Sequence, residues 1–181
     1  MTENSGQHPA DEPEISQETA SEASCSWDEM ETGFSGNPRT KMDERGRLKM
    51  PAEFKAFLDK KYGKGFNRFY ITSRDGFDAL IFPAPEWKAH QDRIFEMPPS
   101  SEARQDLLRR YNLWGGRVDM DPQGRLLLPE ELRNEGVLVG DVKVSGEGTF
   151  LRVTSLARLR ETVKPGPIAP QHADELGRAG V

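Results

Sequence analysis

Two short segments of this 181-residue chain place arginines beside a carboxylate at a turn. One reads Thr40-Lys41-Met42-Asp43-Glu44-Arg45-Gly46-Arg47-Leu48-Lys49-Met50-Pro51. The other reads Val118-Asp119-Met120-Asp121-Pro122-Gln123-Gly124-Arg125-Leu126-Leu127-Leu128-Pro129, at an offset of 78. The chemistry on offer is charged recognition. A guanidinium presents five N–H donors in a rigid fork that suits a guanine edge or a phosphate. An aspartate at the head of a turn accepts backbone N–H bonds or pairs with a nearby arginine. In a strand, alternate side chains share a face. Met42, Leu48 and Met50 then face a core. Arg39, Lys41, Arg47 and Lys49 face water, and Arg45 at the turn brings that face to five cations. A two-stranded ribbon of this kind fits the major groove, with arginine reading guanine and lysine contacting phosphate. The same pattern also reads as an ordinary solvent face. The second segment is weaker: Asp119 and Asp121 replace cations, Gln123 stands where Arg45 does, and Arg125 remains.

The elements around these segments repeat as well, which points to two copies of one unit. Gly46 and Gly124 permit the positive φ that such turns need. Short helices are expected from Pro51 to Tyr62 and from Pro129 to Asn134. Each copy then offers a hairpin. The first joins 69–72 to 77–82 across Ser73-Arg74-Asp75-Gly76, and the second joins 142–144 to 149–153 across Ser145-Gly146-Glu147-Gly148. Gly76 and Gly148 correspond at an offset of 72, so copy one carries about six extra residues near Lys60–Asn67. Gly63-Lys64-Gly65 there is too short for a phosphate loop and reads as a surface connection. Helices are expected over 85–96, 101–113 and 155–162. The expected division is an acidic arm at 1–33, a first repeat at 34–97, a linking helix at 98–114, a second repeat at 115–163 and a loose tail at 164–181.

Composition narrows the function classes. The chain is 35% hydrophobic and 30% charged, apolar-poor for a fully packed protein of this length. Its net charge of −5 hides an asymmetry. Residues 1–35 hold nine acids and no Lys or Arg, leaving 21 acids against 25 bases in 36–181. The expected folded part is mildly basic, which permits nucleic-acid binding. Trp27 and Met30 are the features of the arm that could dock on something. The sequence has no basic-then-apolar leader, and no apolar run approaches the roughly 18–20 residues of a membrane span. One cysteine, Cys25, permits no disulfide framework, and His8, His90 and His172 are scattered. Asp119 and Asp121 lack a third ligand, so no metal and no cofactor is expected. No Gly-x-Ser-x-Gly elbow or other catalytic constellation is present, so an enzyme is not expected. His90 reads as exposed or partner-bonded, and Tyr111 and Trp114 read as packing residues.

Two Asp-x-x-Gly-Arg-(apolar)-x-(apolar)-Pro segments with Leu80-Ile81-Phe82-Pro83-Ala84-Pro85-Glu86-Trp87 between them resemble the MraZ family, a tandem form of the AbrB/SpoVT barrel. The likeness covers about residues 34–162. It implies an α+β, β-rich fold in which swapped hairpins of two tandem units form one pseudo-dimeric barrel with flanking helices. It implies a cytoplasmic, nucleoid-associated regulator that binds double-stranded DNA at short promoter repeats upstream of the division and cell-wall gene cluster. It also implies ring-like homo-oligomers and no membrane partner. The family's paired Asp and Arg fall on Asp43 and Arg47 and on Asp121 and Arg125. Its basic residue before the glycine falls on Arg45. The expected DNA-binding residues are Arg39, Lys41, Arg45, Arg47, Lys49 and Arg125, with Asp43, Gly46, Asp121 and Gly124 shaping the turns. The acidic arm departs from the family pattern: either it is real, competing with DNA or inert, or the true start lies downstream. The alternative function is an assembly module that uses the same barrel without touching DNA.

Overall fold

The computed structural model describes residues 33–135 and 138–179. The expected arm at 1–33, with Trp27 and Met30, lies outside the described residues save for Gly33. The first repeat supplies β1 (Arg39–Met42), β2 (Arg47–Lys49), α1 (Ala52–Tyr62), β3 (Arg68–Thr72), β4 (Ala79–Pro83) and α2 (Ala84–Glu96). After α3 (Glu102–Leu113), the second supplies β5 (Gly116–Asp119), β6 (Arg125–Leu127), α4 (Glu130–Asn134), β7 (Gly140–Glu147), β8 (Phe150–Ser155) and α5 (Leu156–Thr162). In the tail, α6 occupies Pro170–Ala179 and buries no side chain.

The strands form one antiparallel sheet in the order β5-β3-β4-β8-β7-β1-β2-β6. The N–H of Asp121 donates to the carbonyl of Arg125 at 2.9 Å, which brings the two ends of that order together. The result is an α+β fold with a nearly closed eight-strand barrel. Its pairing is exchanged between repeats. β1 of the first repeat adds to β7 of the second, and β5 of the second adds to β3 of the first. A pseudo-two-fold axis relates the halves. It passes between Leu48 and Leu126, paired where β2 meets β6, and between Leu80 and Arg152, paired where β4 meets β8. The period-two pattern explains the core. Met42, Leu48 and Met50, with Met120, Leu126 and Leu128 opposite, are all buried. Burial of each such side chain contributes about 1.5–3 kcal/mol.

Both hairpins differ from their sequence expectation, for local reasons. In the first, the loop runs from 73 to 78, and β4 begins only at Ala79. The Asp75 carboxylate takes the N–H groups of Phe77 (2.9 Å) and Asp78 (3.2 Å), and Ser73 Oγ takes that of Gly76 (2.8 Å). Those donors are satisfied by side chains and do not enter a ladder. In the second, β7 continues to Glu147 and the chain reverses at Gly148-Thr149, with Gly148 at φ +70°. The extension has a partner: Phe34 bridges Gly148, and Gly146 N–H donates to Gly36 O at 2.8 Å. Phe34 itself is buried against Phe54 and Phe57.

A smaller core joins the linking helices to the barrel through Leu80, Phe82, Ile94 and Tyr111. The Tyr111 hydroxyl accepts from Arg74 Nε at 3.1 Å and lies 3.2 Å from His90 Nε2. The Tyr111 hydroxyl thus has Arg74 as a donor and the His90 ring as its second polar neighbour. Burial holds the His90 pKa below its ordinary 6.5, and the charges of Arg93 and Arg74 act in the same direction. A base whose folded pKa is lowered contributes stability that is complete above the unfolded value and is lost as pH falls through the folded value. The melting temperature of the wild type is therefore expected to drop by a few degrees between about pH 7 and about pH 5, beyond the drop of His90→Gln, which keeps a neutral acceptor. Superimposable pH profiles for the two proteins in scanning calorimetry would contradict this.

Candidate nucleic-acid interface

The two arginine turns are built alike. In turn one, Asp43 Oδ1 accepts the N–H groups of Arg45 and Arg47, each at 2.9 Å, and Oδ2 accepts Arg47 Nε at 2.9 Å. In turn two, Asp121 Oδ1 accepts from Gln123 and Arg125, each at 2.9 Å, and Oδ2 from Arg125 Nε at 2.8 Å. Gly46 and Gly124 sit at φ +74° and +73°, where a Cβ is strained. Their N–H groups return to Asp43 O and Asp121 O. The turns are also tied to each other's repeat. Leu128 N–H donates to Gly46 O at 3.0 Å, and Met50 N–H donates to Gly124 O at 2.9 Å.

The carboxylates carry the charge that these donors require. For Asp43, the backbone N–H of Arg47 is the main influence; together with the guanidinium of Arg47 and the N–H of Arg45 it outweighs desolvation and lowers the pKa. At Asp121, desolvation pushes upward, but the N–H and guanidinium of Arg125 and the N–H of Gln123 prevail and the pKa is again lowered.

The expected cations do not behave as one uniform face. Arg45 is exposed, with no side-chain hydrogen bond or ion pair among the described residues. Arg47 and Arg125 are only partly exposed because each folds back onto its aspartate. Arg39 pairs with Asp141 on the neighbouring strand β7. Lys41 is exposed, and its charge also reaches Asp141. Lys49 donates its ammonium to the backbone carbonyl of Gln123 in turn two. The structure thus brings Asp43, Arg45, Gly46 and Arg47 into one turn and Asp121, Gly124 and Arg125 into the other. It engages Arg39 and Lys49 within the protein. Sequence reasoning missed Arg133, whose side chain crosses Gly46: a Cβ added there would lie 2.2 Å from Arg133 Cδ. The only sequence signal was its place after Leu132 in α4. The pairing of β2 with β6 is what carries it to turn one. Among the described residues, no group of His, Cys, Asp and Glu is placed to hold a metal ion, and no helix is long and apolar enough to cross a membrane.

No family model matches the chain. Curated relatives do. The protein named transcriptional regulator MraZ from Acidobacterium capsulatum is 37% identical over 148 residues, 82% of this chain and 99% of that protein. Its namesake from Koribacter versatilis is 33% identical over the same length and shares. The chain belongs to the MraZ family. A more distant MraZ, from Herpetosiphon aurantiacus, is 28% identical over 150 residues, 80% of this chain and 99% of that protein. These MraZ relatives are named as transcriptional regulators and not as enzymes.

The aspartates give this MraZ chain an acid-sensitive pair of turns. A carboxylate with a lowered folded pKa contributes stability that is present above the unfolded value, near 3.8, and is lost as pH falls through the folded value. The double variant Asp43→Asn/Asp121→Asn is expected to melt lower than wild type near neutral pH. Because it lacks these two titrating groups, it should lose less on acidification from about pH 5 to about pH 3. A thermal-melt series across that range measures both effects. Equal melting temperatures near neutrality would show that the carboxylates do not hold the turns.

Proposed function

We propose that this MraZ-family protein is a sequence-specific regulator that binds double-stranded DNA through turn one. Its sites are short promoter repeats ahead of the division and cell-wall gene cluster. It acts in the cytoplasm, on the nucleoid, as a ring-like homo-oligomer whose protomers each hold the two repeats, at 34–97 and 115–163. The observation that carries this reading is the tip of turn one: an exposed Arg45, unpaired among the described residues, beside an Arg47 already oriented by Asp43. A guanidinium fixed at Nε still offers its two terminal nitrogens to the O6 and N7 of guanine. Pre-orientation lowers the ordering cost of that contact. Turn two has Gln123 at the tip and Asp119 nearby, so it contributes less to an anionic ligand. One protomer makes few contacts, and a ring multiplies them by raising the effective concentration of the next turn.

A second reading has its own observation. Leu127 (45% exposed) and Val139 (62% exposed) present apolar surface near the turns, and several cations there are already paired. Those features suit a protein-assembly module.

Fluorescence anisotropy on repeats from the chain's own upstream region separates the two readings. Arg47→Ala is expected to weaken specific binding about 10- to 100-fold, Arg45→Ala to weaken it less, and Arg125→Ala least, since a good bidentate base contact is worth about 1–3 kcal/mol. Wild-type affinity should fall steeply with salt as counterions return to the phosphates. Equal affinities for wild type and Arg47→Ala would reject turn one as the reader, and recovery of protein partners without DNA would favour assembly.

A further inference from the structure

Beside turn one lies a shallow pocket lined by Asp43, Glu44, Arg45 and Gly46 from the first repeat. Its opposite wall comes from the second repeat, through Leu128, Leu132 and Arg133. Arg133 is fixed at two points. Its aliphatic stem lies over Gly46, so that a Cβ there would meet Cδ at 2.2 Å and Cγ at 2.5 Å. Its Nε donates to Leu128 O at 3.0 Å, and the N–H of the same Leu128 donates to Gly46 O at 3.0 Å. The residue is nevertheless exposed, and its terminal nitrogens have no hydrogen bond or ion pair among the described residues. A guanidinium anchored at Nε and open at both Nη atoms, next to Arg45, is arranged to receive an anion.

Among the described residues, the opposite turn has no such group. The residue 78 positions earlier, Lys55, donates to Asp59 at 2.9 Å within α1. The cation that a Cβ on Gly124 would meet is Lys49, whose ammonium already serves the carbonyl of Gln123. Two carboxylates lie close to Arg133 as well. Asp43 is satisfied by Arg47 and two backbone N–H groups, and Glu44 is exposed at the turn. At turn one the guanidinium groups of Arg45, Arg47 and Arg133 therefore outnumber the carboxylates of Asp43 and Glu44, and Asp43 is already bound to Arg47.

We propose that Arg133 is a phosphate-contacting residue of the turn-one face, so that this DNA-binding surface is assembled from both repeats. The assignment rests on the DNA-binding reading above. Its Nε anchor to a backbone carbonyl keeps the group beside the groove reader and leaves Arg45 and Arg47 to meet base edges. A phosphate contact carries no sequence information. Its loss weakens specific and non-specific DNA alike.

The test is anisotropy with an upstream-repeat duplex and a scrambled duplex over a salt series, on wild type, Arg133→Ala and Arg133→Lys. Arg133→Ala should weaken both duplexes by a similar factor, roughly 3- to 10-fold, and flatten the log–log salt dependence by about one unit. Arg133→Lys should keep the wild-type slope. If Arg133→Ala melts well below wild type, Arg133→Gln, which retains a stem over Gly46 without the charge, takes its place. A natively folded, uncharged variant with the wild-type affinity and slope overturns the assignment while the DNA-binding reading stands. A loss confined to the specific duplex also overturns it, by making Arg133 a base reader. Failure of wild type to bind either duplex at low salt overturns both.

Discussion

One carboxylate per turn organises this protein. Asp43 gathers two backbone N–H groups and one guanidinium Nε, and Asp121 repeats the arrangement with the same geometry. Without that acceptor, the partly buried N–H groups of Arg47 and Arg125 would lose their partner, while the exposed ones of Arg45 and Gln123 would turn to water. The arginine would also swing free on four rotatable bonds. One carboxylate thus serves two purposes: its Oδ1 closes the turn and its Oδ2 aims the arginine side chain.

The barrel adds a second constraint. Each turn is bonded to the strand that follows the other turn, through Leu128 to Gly46 and Met50 to Gly124. β1 and β5 are exchanged between repeats, so neither repeat closes its own sheet. The two turns are thereby tied to one barrel, whose core includes Leu48 and Leu126. Their chemistry then diverges. Turn one has Arg45 and is flanked by Arg133, whereas turn two has Gln123 and is braced by Lys49. A duplicated scaffold with three guanidinium groups at one turn and one at the other is what the differing side chains produce.

Much of this was legible in the sequence because it is periodic or local. The alternation at 39–50 correctly placed Met42, Leu48 and Met50 in the core, and proline and serine positions marked where α1, α2, α3, α4 and α5 begin. The aspartate–arginine pairing within each turn spans only four residues. What escaped was non-local or carried by side-chain capture. Strand exchange leaves no trace in alternation, since β1 satisfies the same pattern beside either hairpin; the family resemblance, not periodicity, implied it. The Asp75 carboxylate took donors that a tight hairpin would have used, and the Phe34 segment extended β7. Arg39 and Lys49 looked like free cations because Asp141 and the Gln123 carbonyl lie roughly a hundred and 74 residues away, respectively. Arg133 was invisible for the same reason.

On the proposed reading, turn one presents guanidinium groups to DNA while Asp43 retains its hold on Arg47. The arginine Nε–H region of a nitrogen-15 correlation spectrum reads this directly, recorded on the full chain alone and with an upstream-repeat duplex. In the free protein, Arg47 and Arg125 should show slowly exchanging Nε–H signals. On addition of duplex, the Arg45 and Arg47 signals should shift, Arg47 should remain protected, and Arg125 should move least. Saturating DNA that leaves Arg45 and Arg47 unshifted would contradict the account.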